Sequence, residues 1–414
     1  MIFDRQQQHL LLEGKEYTPE DIARFIAEGA ENTPSALWDL YLFLNEWFND
    51  SPVITVHTSG STGTPKELIV RKDQMMQSAR LTCEFLNLKQ GESALLCMNL
   101  RYIGAMMLVV RALVAGLDLI VRPASGHPLS DVKQPLRFAA MVPLQVYNTL
   151  RTPEEKERLK QTEILIIGGG AIDEALETEI KSLPGAVYST YGMTETLSHI
   201  ALRRLNGTAA SERYYPFSSV NLSLSPENTL VIDAPLVCDG VLQTNDIARI
   251  YPDKGFIILG RKDNVINSGG IKIQAEEVEK LLRPFISVPF VITSVPDQRL
   301  GQAVTLLIEG RADTEEIENR LQTILTPYYR PKYILTTDCI PQTGNGKVNR
   351  AECSDLARKV SDVFTLIPSL IGTISLFILL VAMRVTVDSC LRVYIYPHST
   401  SSRFRWDCPV SLCI

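Results

Sequence analysis

The residues Thr58-Ser59-Gly60-Ser61-Thr62-Gly63-Thr64-Pro65-Lys66 put hydroxyls, glycines and a lysine into nine consecutive positions. Glycine tolerates φ > 0, so backbone N–H groups can turn toward an anion. Hydroxyls add donors and the lysine a mobile positive charge. That set suits a polyphosphate. It is not the P-loop of kinases and GTPases, because Pro65 stands at the second glycine of G-x-x-x-x-G-K-[ST] and Glu67 follows the lysine. A plain solvated turn is the competing reading, but such turns seldom gather so many donors beside a lysine.

Other segments carry groups of the same kind. They are Gly168-Gly169-Gly170, Tyr191-Gly192-Met193-Thr194-Glu195, Asp246 within Gln243–Ile250, Gly260-Arg261-Lys262-Asp263, Ser268-Gly269-Gly270, and Lys347 in a glycine-rich turn. Singly, each has an ordinary structural reading. Tyr191 could be a core aromatic, Glu195 a carboxylate serving a helix dipole, Asp246 a turn residue, Lys347 a surface lysine, and the Gly269-Gly270 pair a turn.

The elements that must position these residues follow from pattern. Val53–Val56 alternates and β-branches like a strand, with Glu67–Val70 returning after the loop. Thr18-Pro19-Glu20-Asp21 predicts a capped helix to about Ala27 with Gly29 near its end. A second helix is expected over Ser35–Phe48, and a third through Leu86 capped by Asp73. Tyr102–Ala115 reads as a nearly all-apolar helix closed by Gly116, with Arg111 its one charge. Strands are expected at Ser93–Met98, Leu117–Val121, Phe138–Val142, Glu163–Ile167 and Ala186–Thr190, and a helix at Asp173–Leu183. Strands alternating with helices predict a layered α/β fold with mainly parallel pairing, ligands lying beyond the carboxyl ends of the strands. From Ser219 to Leu259, short strands and turns predict a small antiparallel subdomain. Beyond a hinge at Gly260–Asp263, a helix at Ala275–Leu282, strands near Val288–Thr293 and Ala303–Ile308, and a helix at Glu315–Leu325 form a small α+β unit. The expected domains are 1–260, 261–363 and an atypical tail, 364–414.

The chain has 414 residues, a net charge of −6 and 45% hydrophobic residues, ample for two or three domains. Mild acidity argues against nucleic acid as a partner. Its eight cysteines form no C-x-x-C pair and its five histidines no cluster, so neither a disulfide framework nor a zinc site is indicated; a reducing cytoplasm fits. No signal peptide is evident. Between Asp362 and Arg384 no charge occurs over about twenty residues, enough to cross a bilayer. The tail reads as a membrane anchor, a buried helix interrupted by Pro368 and Gly372, or a segment foreign to the functional domain.

Read together, Thr58–Lys66, Ser189–Thr196, Gln243–Ile250, Gly260–Glu279 and Pro341–Arg350 resemble the acyl-adenylate-forming superfamily, which includes acyl-CoA synthetases, nonribosomal peptide adenylation domains and luciferases. The segments occur in that family's order. The resemblance implies an acyl-AMP made from a carboxylate and ATP with Mg²⁺, then transfer to the thiol of coenzyme A. By the same resemblance, Thr58, Ser59, Gly60, Ser61, Thr62, Gly63 and Lys66 cradle the β- and γ-phosphates. Tyr191 stacks on adenine, with Gly169, Gly170 and Gly192 lining its site. Thr194 binds phosphate and Glu195 holds Mg²⁺. Asp246 accepts from the ribose hydroxyls with help from Arg261, and Lys347 reaches the α-phosphate region. Lys262 and Asp263 form the hinge, and Ser268, Gly269 and Gly270 line a thiol channel.

Within the superfamily the chain is most similar to ligases of o-succinylbenzoate, an acid of menaquinone biosynthesis. That acid has a second, aromatic carboxylate whose burial needs a cation or several donors; Arg111, Ser198, His199 and Arg203 are the candidates. Arg111 could instead snorkel from its helix. Three departures stand out: a short region ahead of the phosphate loop, Asn245 where a glycine is usual, and Tyr102 near a position often held by histidine. Other acids, a carrier-protein thiol as acceptor, a tail-tethered inactive nucleotide binder and a homo-oligomer all remain open from sequence.

Overall fold

The computed structural model describes residues 1–31, 33–57, 67–172, 174–310, 314–343, 348–359 and 391–394. The chain divides into two compact units, Met1–Asn264 with Pro341–Ala351, and Val265–Ile340 with Glu352–Ile414.

The first unit is built on a nine-stranded sheet whose order is Tyr215–Pro216, His199–Arg204, Ala186–Gly192, Thr162–Ile167, Leu136–Met141, Ser93–Leu96, Asp118–Val121, Leu10–Leu12 and Lys15–Tyr17. The middle is parallel, from Ala186–Gly192 across to Leu10–Leu12. The outer strands turn antiparallel. The expected parallel core is therefore present with antiparallel borders. Those borders are Lys15–Tyr17, exposed to half-buried, at one edge, and His199–Arg204 with the two-residue Tyr215–Pro216 at the other.

Ile103–Ala115 is buried on every side from Ala105 to Val114, as an all-apolar helix must be. Tyr102 is its N-cap residue, and Gly116 closes it at φ 66, with its N–H on Ala112 O. The first expected helix runs Pro19–Glu28 with a complete capping box. Asp21 N donates to Thr18 Oγ1 at 3.3 Å, and Thr18 N to Asp21 Oδ2 at 3.0 Å. Ser35–Phe48 is helical as expected. Its open C-terminal carbonyls are met from outside: Arg5 Nη1 donates to Trp47 O, and buried Lys72 Nζ to Glu46 O and Asn49 Oδ1.

The third helix departs from its predicted cap. It spans Lys72–Phe85 with Arg71 at the N-cap, and Asp73 sits inside the first turn, accepting from Arg71 and from Gln74 N. The helix begins one residue ahead of Asp73, whose carboxylate then serves the first turn, where negative charge favours the helix dipole. Helices Pro143–Arg151 and Pro153–Lys160, each with proline in its first turn, fall where no helix was expected.

Asn221–Leu224, Thr229–Asp233, Val241–Ile250 and Phe256–Arg261 form the expected small antiparallel sheet. Val53–His57 and Glu67–Arg71 pair as a separate antiparallel hairpin, in register from Val53↔Arg71 to His57↔Glu67.

In the second unit, Phe290–Asp297 pairs with Gly301–Glu309, which also pairs in parallel with Tyr333–Thr337. Val265–Ser268 and Ile271–Gln274 form a hairpin at one side. Helices Ala275–Leu282 and Thr314–Ile324 belong to the same unit. Cys353 and Ala357, from a helix over 350–359, pack with Val291, Leu307 and Leu335. Of the tail, only Leu391–Tyr394 is described, as an antiparallel strand on Tyr333–Thr337. The uncharged stretch read as an anchor lies outside the described residues. Among the described residues, no helix is long and apolar enough to cross a membrane.

Candidate active site

Strand Ala186–Gly192 ends in the expected sequence, and the chain then turns sharply. Thr194–Thr196 is one turn of 3₁₀ helix, and Leu197 lies at φ 64. Thr196, which the sequence reading did not single out, holds this turn. Its Oγ1 accepts from Met193 N (3.0 Å) and donates to Ser198 O (2.8 Å). Gly192 is required by close approach, because a Cβ there would lie 2.1 Å from Ser198 O. Gly168 is equally confined, its missing Cβ falling 2.4 Å from Thr190 Oγ1, and Gly169 takes φ 81. Glu195 is exposed, and among the described residues it has no ion-pair partner, so its oxygens stay open to a ligand.

Three predicted nucleotide residues meet where the nine-stranded and four-stranded sheets of the first unit face each other. Tyr191 Oη donates to Asp246 Oδ2 at 2.7 Å, and Arg261 Nη1 donates to Asp246 Oδ1 at 3.2 Å. Strand register places Arg261 opposite Asp246. The backbone N–H of Asp246 donates to Thr244 Oγ1 at 3.0 Å. The Tyr191 ring packs edge-on against Phe256 at 5.2 Å. Burial, then the neighbouring Asp246 charge, pushes the Tyr191 phenol well above its ordinary range, so it remains a donor. A carboxylate whose two oxygens are fixed by one phenol and one guanidinium still has lone pairs for vicinal hydroxyls.

Arg261 also reaches Asp263 Oδ2 at 3.0 Å, and Asn245 Nδ2 contacts both Asp263 oxygens at 3.2 and 3.1 Å. Asn245, noted as a departure, thus has a partner that glycine could not supply. Lys262 pairs with Glu227 at 2.5 Å.

The acid-binding candidates separate. Arg111 Nη2 donates to Ser198 Oγ at 2.8 Å, Ser198 Oγ lies 3.3 Å from His199 Nδ1, and His199 Nε2 lies 3.0 Å from Thr82 Oγ1. Arg203 does not join them; its guanidinium forks onto Glu177 at 3.0 and 2.7 Å. Ser268, Gly269 and Gly270 form the turn between Val265–Ser268 and Ile271–Gln274, with both glycines at positive φ. That hairpin needs two such residues for its own geometry.

The predicted phosphate loop, 58–66, and Lys347 lie outside the described residues. Their anchors do not. His57 and Glu67 are register partners at the end of the hairpin, His57 bridges Tyr102, and Gln342 bridges Val348 on either side of the lysine turn. Among the described residues, no cluster of three His, Cys, Asp or Glu could hold a metal. Burial pushes the Cys83 and Cys97 thiols up to about 12, so neither is a nucleophile near neutral pH.

Residues 13–230 match the family described as AMP-binding enzyme. The 2-succinylbenzoate–CoA ligase of Lactococcus lactis is 23% identical over 322 residues, covering 72% of this chain and 70% of that protein. A crystal structure of an acyl-CoA synthetase (AMP-forming)/AMP-acid ligase II-like protein from Dyadobacter fermentans is 31% identical. It covers 79% of this chain and 95% of its own, with a TM-score of 0.55. The o-succinylbenzoate CoA synthetase of Bacillus subtilis, solved with ATP and magnesium ion, has a TM-score of 0.61 at 20% identity, over 72% of this chain and 69% of its own. The family match runs over more than half of the chain and takes in the turn that ends in Ser198, so this protein belongs to the AMP-binding enzymes and is an AMP-forming acid–CoA ligase.

Proposed function

We propose that the acid is o-succinylbenzoate, activated by ATP and Mg²⁺ to an acyl-adenylate and passed to coenzyme A as in menaquinone biosynthesis. The observation that carries the nucleotide half is the Tyr191–Asp246–Arg261 group, a carboxylate oriented from two sides beside an aromatic ring. The acid's identity is supported by the relatives' substrate and by the cation at Arg111.

The reaction brings a carboxylate to a phosphate, both anionic, so catalysis is chiefly charge neutralisation and positioning. On this reading Asp246 and Arg261 fix the ribose, and Tyr191 faces adenine with Gly169, Gly170 and Gly192. Thr194 donates to phosphate. Ser59, Gly60, Ser61, Thr62, Gly63 and Lys66 embrace the outer phosphates, and Lys347 stabilises charge as pyrophosphate leaves. Mg²⁺ keeps several waters and takes few protein ligands, so the single open carboxylate of Glu195 plus phosphate oxygens fits it. Asp263 and Lys262 serve as the pivot between half-reactions. Residues 1–260 then carry adenylation and 261–363 thiol delivery, past Ser268, Gly269 and Gly270.

The test is acid-dependent exchange of pyrophosphate into ATP, followed by thioester formation with o-succinylbenzoate, benzoate and a fatty acid. Thioester from o-succinylbenzoate alone supports the proposal. Preference for another acid moves the substrate, and no exchange with any acid removes the proposal.

A further inference from the structure

Arg111 is 1% exposed, on a helix otherwise wholly apolar between Ala105 and Val114. A snorkelling arginine keeps its head in water, and this one does not. Among the described residues no carboxylate pairs with it, its Nε has no acceptor, and its one hydrogen bond goes to Ser198. Burial draws it down to about 10. Burying a guanidinium without a counter-ion is costly, because the lost hydration is not repaid by a partner charge.

Among the described residues, the neighbouring groups supply no negative charge. Thr82 Oγ1 donates to Ser78 O at 3.2 Å, so it must accept from His199 Nε2–H. His199 Nδ1 is then bare and accepts from the Ser198 hydroxyl, whose oxygen accepts from Arg111. Burial, then Arg111, holds His199 well below its usual range, so it is neutral. Cys83 stays a thiol. The whole string carries one uncompensated positive charge. It reaches solvent at half-exposed Ser198, three residues after Glu195.

We propose that Arg111, presented through Ser198, anchors a second carboxylate on the acid substrate, and that Arg203, already committed to Glu177, does not. This inference rests on the ligase reading and deepens it by naming the residue that reads the second carboxylate. The arriving anion would take the guanidinium's unused donors and the Ser198 hydroxyl. Arg111 would then be the residue that sets specificity.

A matched pair of acids tests it: o-succinylbenzoate and 4-oxo-4-phenylbutanoate, the same skeleton without the ring carboxylate. Calorimetric affinity and kcat/KM for pyrophosphate release are measured for the protein and for Arg111→Met and Ser198→Ala. The expected preference for the dicarboxylate is roughly thirty-fold or more, typical of a charge-assisted contact. Arg111→Met should cut that ratio to within about threefold, and Ser198→Ala should lower it in the same direction. A ratio unchanged in Arg111→Met, or equal loss for both acids, overturns the anchor and makes Arg111 structural. Should Arg111→Met fail to fold, Ser198→Ala decides: an unchanged ratio overturns the proposal. If neither acid releases pyrophosphate, the substrate assignment falls. The affinities of phthalate and benzoate for the protein then settle the anchor, tighter phthalate supporting it and equal binding overturning it.

Discussion

At the scale of single residues, Asp246 and His199 show how environment sets role. Asp246 is held by Tyr191 and Arg261. Asp246→Asn keeps the shape and removes the charge that orients both partners. ATP affinity should fall about tenfold or more, as expected for losing a charged hydrogen bond. Titration of the variant with ATP checks this. His199 is neutral in the fold, with Thr82, Ser198, the Phe217 ring and the Arg111 cation around it. Its folded pKa lies below that of the unfolded chain, so the unfolded state binds the extra proton first. Stability from this group is full above about pH 6.5 and declines as pH falls below it, by at most about 1.4 kcal/mol per pH unit. Urea unfolding at pH 7.5 and 5.5 should show the loss, and His199→Gln should flatten it. The types of these residues were legible in sequence, and so was the grouping of Arg111 with Ser198 and His199. That Arg203 is spent on Glu177 was not. The two are 26 positions apart, and only the fold brings them together.

At the scale of elements, what could be read from pattern was what local physics decides. The capping box at Thr18, the glycine stop at Gly116 and the helix Ala275–Leu282 fall where their residues put them. The misplaced cap at Asp73 and the two unforeseen helices after Val142 have separate causes. The third helix begins at Lys72 and so takes Asp73 into its first turn, while Pro143 and Pro153 start helices from a stretch whose apolar period is weak. Gly192→Ala would drive a methyl into Ser198 O, so the turn bearing Thr194 and Glu195 must shift. We expect about 2 kcal/mol or more of destabilisation, and loss of pyrophosphate exchange in whatever folds. Denaturation and exchange assays read the two effects separately. Lys72→Met removes the buried ammonium that donates to Glu46 O and Asn49 Oδ1 at the end of Ser35–Phe48, acceptors on exposed residues that water can partly satisfy. That should cost about 1 kcal/mol, visible as a lower urea midpoint, with the site untouched.

At the scale of the molecule, the described residues proposed for adenylation all belong to the first unit. A chain ending at Val363 should therefore keep pyrophosphate exchange near that of the full chain. It would also lose Leu391–Tyr394, the strand paired along Tyr333–Thr337, and a bare strand edge invites pairing with another copy. Sedimentation should show more self-association in the shortened protein, while exchange activity survives. The layered sheet and its antiparallel annex were visible in the strand spacing. The partition of Pro341–Ala351 with the first unit was not, because sequence order alone assigns that stretch to its neighbours.

Arg261 divides its guanidinium between Asp246, where the sugar would rest, and Asp263, where the chain would swivel, and Asn245 braces the latter. Occupancy of the first carboxylate must alter the share left to the second. With the roles proposed above for Asp246 and Asp263, a sugar seated at the first would be felt at the second through one shared side chain.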